Sequence, residues 1–148
     1  MSELILRHGL WLAICDGQKA MLLENRGDQI FPKLEARHVS EQKNPLSHEQ
    51  GTARPGRAFS SAGRRSATEE NDLHRQRAVS FLKEFATVIN REVADGRIKQ
   101  LVVIAPASAL GQIRPFFSRQ VAKALMDELA RDYVKKPLHE IERALAKS

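Results

Sequence analysis

Four arginines, Arg54, Arg57, Arg64 and Arg65, stand between residues 51 and 66 with no carboxylate among them. The planar, permanently charged guanidinium binds phosphate bidentately, and interspersed glycines let the backbone approach an anion closely. Phe59, in the same stretch, offers a ring on which an unpaired base can stack. These five residues form a candidate nucleic-acid contact. A flexible basic loop that binds nothing has the same composition.

Acid–base chemistry has fewer candidates. His48, Gln50 and His74 are the side chains that could assist a water molecule, the histidines beside Glu49 or Glu70 if the chain folds back on itself. The same residues also read as solvated loop and helix-start positions. Ser60, Ser61 and Ser66 have no evident base. The histidines, at 8, 38, 48, 74 and 139, never fall three or four apart, so no metal site is expected. Phosphate-loop, dinucleotide-binding and nucleophile-elbow motifs are absent, and no cofactor is expected. The one cysteine, Cys15, lies in the apolar run Leu10-Trp11-Leu12-Ala13-Ile14-Cys15, the setting of a buried core residue without a base at hand.

The elements that must carry these residues fit one domain spanning 1–148, a length able to bury roughly 70% of its unfolded surface. Aromatic residues make up 5% of the chain, so its core is aliphatic. A net charge of +6 favours polyanionic partners such as nucleic acid or the ribosome. The first residues lack the pattern of a secretory signal, and no apolar run reaches the ~20 residues of a membrane span. A cytoplasmic protein is expected; its oligomeric state is not legible.

Apolar runs at 10–15 and 19–24 flank Asp16-Gly17-Gln18, and Asp-Gly readily takes positive φ in a tight hairpin turn. Residues 33–40 alternate loosely, with Leu34, Ala36 and His38 to one side and Glu35, Arg37 and Val39 to the other, as in a third strand. Residues 41–70 are rich in Gly, Ser and Pro and carry two large apolar residues, Leu46 and Phe59; they read as one long basic loop. Leu73, Val79, Leu82, Phe85, Ala86, Ile89 and Val93 then recur at spacings of three and four, predicting a helix over 71–95 that Gly96 stops. The unbroken run Leu101–Ala105 suits a strand buried on both faces. A short helix over 109–117, broken near Pro115, a helix over 119–134 capped by Ser118, and a last helix after Pro137 complete the reading. Strands on either side of a long helix predict a mixed α/β layered fold with a βαβ crossover over 34–105.

Several motifs in this order resemble the bacterial host-attachment protein family. They are Asn44-Pro45, Glu49-Gln50-Gly51-Thr52, Arg54-Pro55-Gly56-Arg57 and Arg65-Ser66-Ala67 with Glu69 or Glu70, Asp72 and His74. The strand at 101–106 with Leu110-Gly111 and the closing Leu138-His139-Glu140-Ile141-Glu142 continue the series. The resemblance runs from about residue 8 to 145. It implies an RNase H-like α/β layout, similar to the middle domain of eukaryotic and archaeal class I release factors and of Pelota. In that layout a loop ahead of the long helix reaches toward the ribosomal peptidyl-transferase centre. It also implies a strand near 124–134, against the helix that composition predicts there.

Release factors carry Gly-Gly-Gln at the tip of that loop; this chain has Ser61-Ala62-Gly63-Arg64-Arg65 in the comparable region. A ribosome- or tRNA-binding module acting through the arginines therefore fits better than a peptidyl-tRNA esterase using His48, Gln50 or His74. The family's label also implies an adhesion-related factor at the cell envelope, which the N-terminal residues do not favour.

Overall fold

The computed structural model describes residues 5–42 and 59–146, with side chains in the second segment from residue 69 onward. The expected hairpin is present: β1 (Trp11–Cys15) pairs antiparallel with β2 (Lys19–Asn25), Trp11 opposite Glu24 and Cys15 opposite Ala20. Asp16 makes the turn, its Oδ1 accepting the backbone N–H groups of Gln18 and Lys19, both at 2.8 Å. Gly17 does not use the left-handed conformation that its dipeptide suggests. Its missing side chain is used instead, because a Cβ there would sit 2.8 Å from Cβ of Ala78 on the neighbouring helix.

β3 (Leu34–Glu41) pairs antiparallel with β2 at the sheet edge and carries a bulge. Leu23 faces Ala36 but Leu22 faces His38, so Arg37 is the extra residue. The insertion reverses the side-chain phase. Leu34 and Ala36 share a face, as expected, whereas His38 joins Leu22 on the opposite one and stacks on Phe85 at 6.3 Å between ring centroids. Val39 correspondingly moves to the face of Met21.

Helix α1 (Phe59–Ala94) has 36 residues, about 54 Å of helix. It begins twelve residues earlier than periodicity predicts, so the region expected as a loop over 41–70 is strand at Glu41 and helix from Phe59. Ala62, Arg64, Arg65, Ala67, Glu69 and Glu70 are adequate helix formers. Periodicity reports a buried face, and these residues lie ahead of the buried stretch of the helix. Gly96 ends the helix as expected, with φ +83° and the Arg97 N–H returning to the Glu92 carbonyl at 3.0 Å.

α1 crosses from the β3 edge to β4 (Leu101–Ala105), which pairs parallel with β1 and is buried along its whole length. β3 and β4 run in the same direction with β2 and β1 between them, which is the predicted crossover. After α2 (Ala107–Ile113), a 3₁₀ turn at Arg114–Phe116 and α3 (Arg119–Ala124), the chain enters β5 (Leu125–Ala130) beside β4. Ser118 caps α3 as predicted, its Oγ accepting the Val121 N–H at 3.2 Å. β5 corrects the helix expected over 119–134 and agrees with the strand implied by the resemblance. Leu-Met-Asp-Glu-Leu-Ala is helix-favouring composition, but the exposed backbone edge of β4 recruits it into a parallel ladder from Leu101 opposite Leu125 to Ala105 opposite Ala130. α4 (Leu138–Ala146) follows Pro137, burying Ile141 and Leu145.

Among the described residues the strands form one mixed sheet in the order β3-β2-β1-β4-β5, with packed helices, as expected of an RNase H-like layout. Alternation divides the core between its faces. Trp11, Ala13 and Cys15 meet Phe81, Leu82, Phe85, Ala86 and Ile89 of α1. Leu12, Ile14, Val102 and Ile104 meet Val134, Ile141 and Leu145 on the other side. Asn25 is the one buried polar side chain among the described residues. It donates to the carbonyls of Leu6 and Arg7 and accepts from the N–H groups of Gly27 and Lys33, tying the N-terminal residues to the β2–β3 loop.

Candidate nucleic-acid interface

One end of the sheet lies beside His74, one of the positions that the sequence singles out. β1, β3 and β4 all finish there, and α1 runs out past it. From Phe81 to Ile89 the helix buries Phe81, Leu82, Phe85, Ala86 and Ile89, while none of the residues from 69 to 80 is buried. The change occurs beside Ala78, where the β1–β2 turn presses Gly17 against the helix. Gln42, just past β3, closes the corner: its N–H donates to the Gln18 carbonyl at 2.6 Å and its Nε2 to the Gly17 carbonyl at 2.8 Å.

Of the predicted contact residues, Arg54 and Arg57 lie outside the described residues, as do His48 and Gln50. Phe59, Arg64 and Arg65 fall in the first two turns of α1 rather than in a loop. Arg64 and Arg75 are eleven residues, about 16 Å, apart along the helix axis. His74 is exposed, one of the lining residues of a groove of about 620 Å³ between the β1–β2 turn, α1, α2 and the segment before α4.

Some of the cations are held by carboxylates. Arg97 bonds Glu92 and Asp95, Arg114 grips Glu128 through both Nε and Nη2, and Arg37 bonds Glu24. The hydrogen bonds to Glu92 and to Glu128, and then the charges of those carboxylates, hold the Arg97 and Arg114 guanidinium groups above their ordinary pKa. The side chains of Arg75, Arg77 and Lys135, around the N-terminal part of α1, make no hydrogen bond or ion pair with any described residue. They are available to a partner's anions. Sequence reading stopped the basic region at residue 70 and missed all three. The Arg64–Arg75 spacing was the signal that would have extended it.

Nothing nucleophilic supports hydrolysis through sulfur. Cys15 is fully buried, and burial, then the charge of Asp16, push its thiol up to about 12, far from a thiolate. Among the described residues no group of three His, Cys, Asp or Glu could hold a metal ion, and no helix is long and apolar enough to cross a membrane.

The model of bacterial archaeo-eukaryotic release factor family 12 matches residues 9–145. The crystal structure of an archaeal translation termination factor, aRF1, is similar with a TM-score of 0.50 and 11% identity, over 95% of this chain and 38% of that one. A second solved structure, an archaeal protein, gives 0.46 and 14% over 93% and 36%. At such identities the likeness to aRF1 is one of fold, and the chain spans little more than a third of these two solved chains. No curated protein matches the sequence.

Proposed function

Because the chain belongs to bacterial archaeo-eukaryotic release factor family 12, we propose that it is a ribosome- or tRNA-binding module of the cytoplasm. It grips RNA phosphates through the basic region ahead of α1 and through the projecting part of that helix. The observation that carries the reading is the run of cations along the chain there, of which Arg75, Arg77 and Lys135 have no ion pair among the described residues. Arg75, Arg77 and Lys135 continue, on the described surface, the series Arg54, Arg57, Arg64 and Arg65. Each phosphate contact releases a counterion, so binding weakens steeply with salt. The family's release-factor name and a fold shared with a termination factor support a partner in translation.

Co-sedimentation with ribosomes on sucrose gradients tests this reading, at low and raised salt, beside a variant carrying alanine at Arg54, Arg57, Arg64 and Arg65. The expected result is salt-sensitive sedimentation that the variant loses. A protein that stays at the top of the gradient in every condition overturns it.

A second reading, hydrolysis of the peptidyl-tRNA ester, draws on the exposed position of His74 at the groove, with His48 and Gln50 as further candidates. Without Gly-Gly-Gln it takes second place. Peptidyl-tRNA left intact on stalled ribosomes at saturating protein would remove it.

A further inference from the structure

The groove beside the β1–β2 turn is lined mainly by polar and charged residues. Its positive groups are Arg75 and Lys135, His74 stands between helix and turn, and three carboxamides, Gln18, Gln42 and Gln112, come from three different elements. Asp16 and the small residues Gly17 and Ala78 complete its described lining. It lies just beyond the carboxyl end of β1, which runs parallel to β4; that edge of an α/β sheet is where ligands habitually bind. Gln42 is braced by its bond to the Gly17 carbonyl, and Asp16 by the two N–H groups its Oδ1 accepts. The side chains of His74, Arg75, Gln112 and Lys135 bond no other described residue.

Free cations bind anions, and free carboxamides pair with groups that both donate and accept, as the edge of a nucleobase does. A volume of about 620 Å³ suits one nucleotide rather than a bare ion. We infer that this groove is a mononucleotide subsite for RNA, with phosphate on Arg75 and Lys135 and a base edge read by Gln112 and Gln18. Asp16, fixed by its turn, stands at the same groove as an acceptor for a ribose hydroxyl. The inference rests on the RNA-binding reading and adds a site to it: one unit of the strand is taken from its stack and read.

The test uses the ¹⁵N-labelled full chain with adenosine 5′-monophosphate and inorganic phosphate as separate probes, and a fluorescent single-stranded oligoribonucleotide as a third. Adenosine monophosphate should shift the amide resonances of Gly17, Gln18, Gln112 and Lys135. Lys135→Ala should weaken that binding about tenfold through loss of a charge-assisted contact. Gln112→Ala should weaken the nucleotide by a smaller factor and leave phosphate unaffected. If phosphate alone reproduces every shift and Gln112→Ala changes nothing, the assignment to a nucleotide is overturned. If the oligoribonucleotide binds but the monophosphate shifts nothing and Lys135→Ala leaves RNA affinity unchanged, the subsite is overturned while the RNA-binding reading stands. A wild-type chain that binds none of the probes overturns both.

Discussion

The two parts of α1 are one continuous helix under opposite constraints. Phe81 to Ile89 lie on the sheet and bury five side chains among the aliphatic residues of β1, β2 and β4. Residues 69–80 bury none, and the sequence ahead of them is built of small, polar and basic residues. Packing fixes the first part to within a methyl group. The second part is held by propensity and by continuity with the first, leaving its outward face free to be chosen for a partner. The basic residues there sit on a part of the helix without a buried face, whereas Arg97, Arg114 and Arg37 are held by carboxylates.

Substitutions can break this contrast or sharpen it. Phe85→Ala, in the packed part, should cost about 3–5 kcal/mol in urea unfolding; a loss no larger than that of a surface change would show that this half is not the anchor. Gly17→Val, at the border, drives a side chain into Ala78 and should cost about 1–3 kcal/mol. A stability equal to wild type would mean that the turn does not press on the helix.

The core against which the packed part lies also has an alkaline signature. The Cys15 thiol is raised from 9.0 to about 12 in the fold. Its contribution is complete below pH 9 and is lost as pH rises through the folded value, because the unfolded chain releases the proton first. Relative to Cys15→Ala, the wild type should lose about 1–2 kcal/mol by roughly pH 10.5. Parallel alkaline unfolding curves for the two proteins would contradict this. Smallest in stability is Arg75→Ala with Arg77→Ala, expected within about 0.5 kcal/mol of wild type. The same pair should lower the salt slope of RNA binding by up to about 0.7 per lost contact. An unchanged slope would move the interface elsewhere.

Much of the fold was legible because burial leaves a period in sequence. The hairpin, the buried run of β4, the packed part of α1 and the Pro137 helix each present an apolar face, and each was read correctly. The misreadings share the opposite property. The helix from Phe59 has no apolar stripe to betray it, so it passed for loop. β5 is made of helix formers and becomes a strand because β4 offers an open edge, a fact about another part of the chain. The bulge at Arg37 turns His38 over without altering the composition around it.

The candidate site divides the same way. Its arginines were visible by type, whereas Arg75, Gln112 and Lys135 converge through tertiary structure and carry no motif. His74 was picked out for its chemistry, and its place in the groove came from the turn that packs beside it.

The close contact of Gly17 with Ala78 has a mechanical meaning. It is where the β1–β2 turn bears on the helix, nineteen residues and roughly 28 Å of helix from Phe59, with a contact one glycine wide. A tilt of about 5° at Ala78 would swing Phe59 by about 2.5 Å, nearly the length of a hydrogen bond. The aim of the helix ahead of Ala78 thus depends on a residue without a side chain, and altering Gly17 would detune it from a distance.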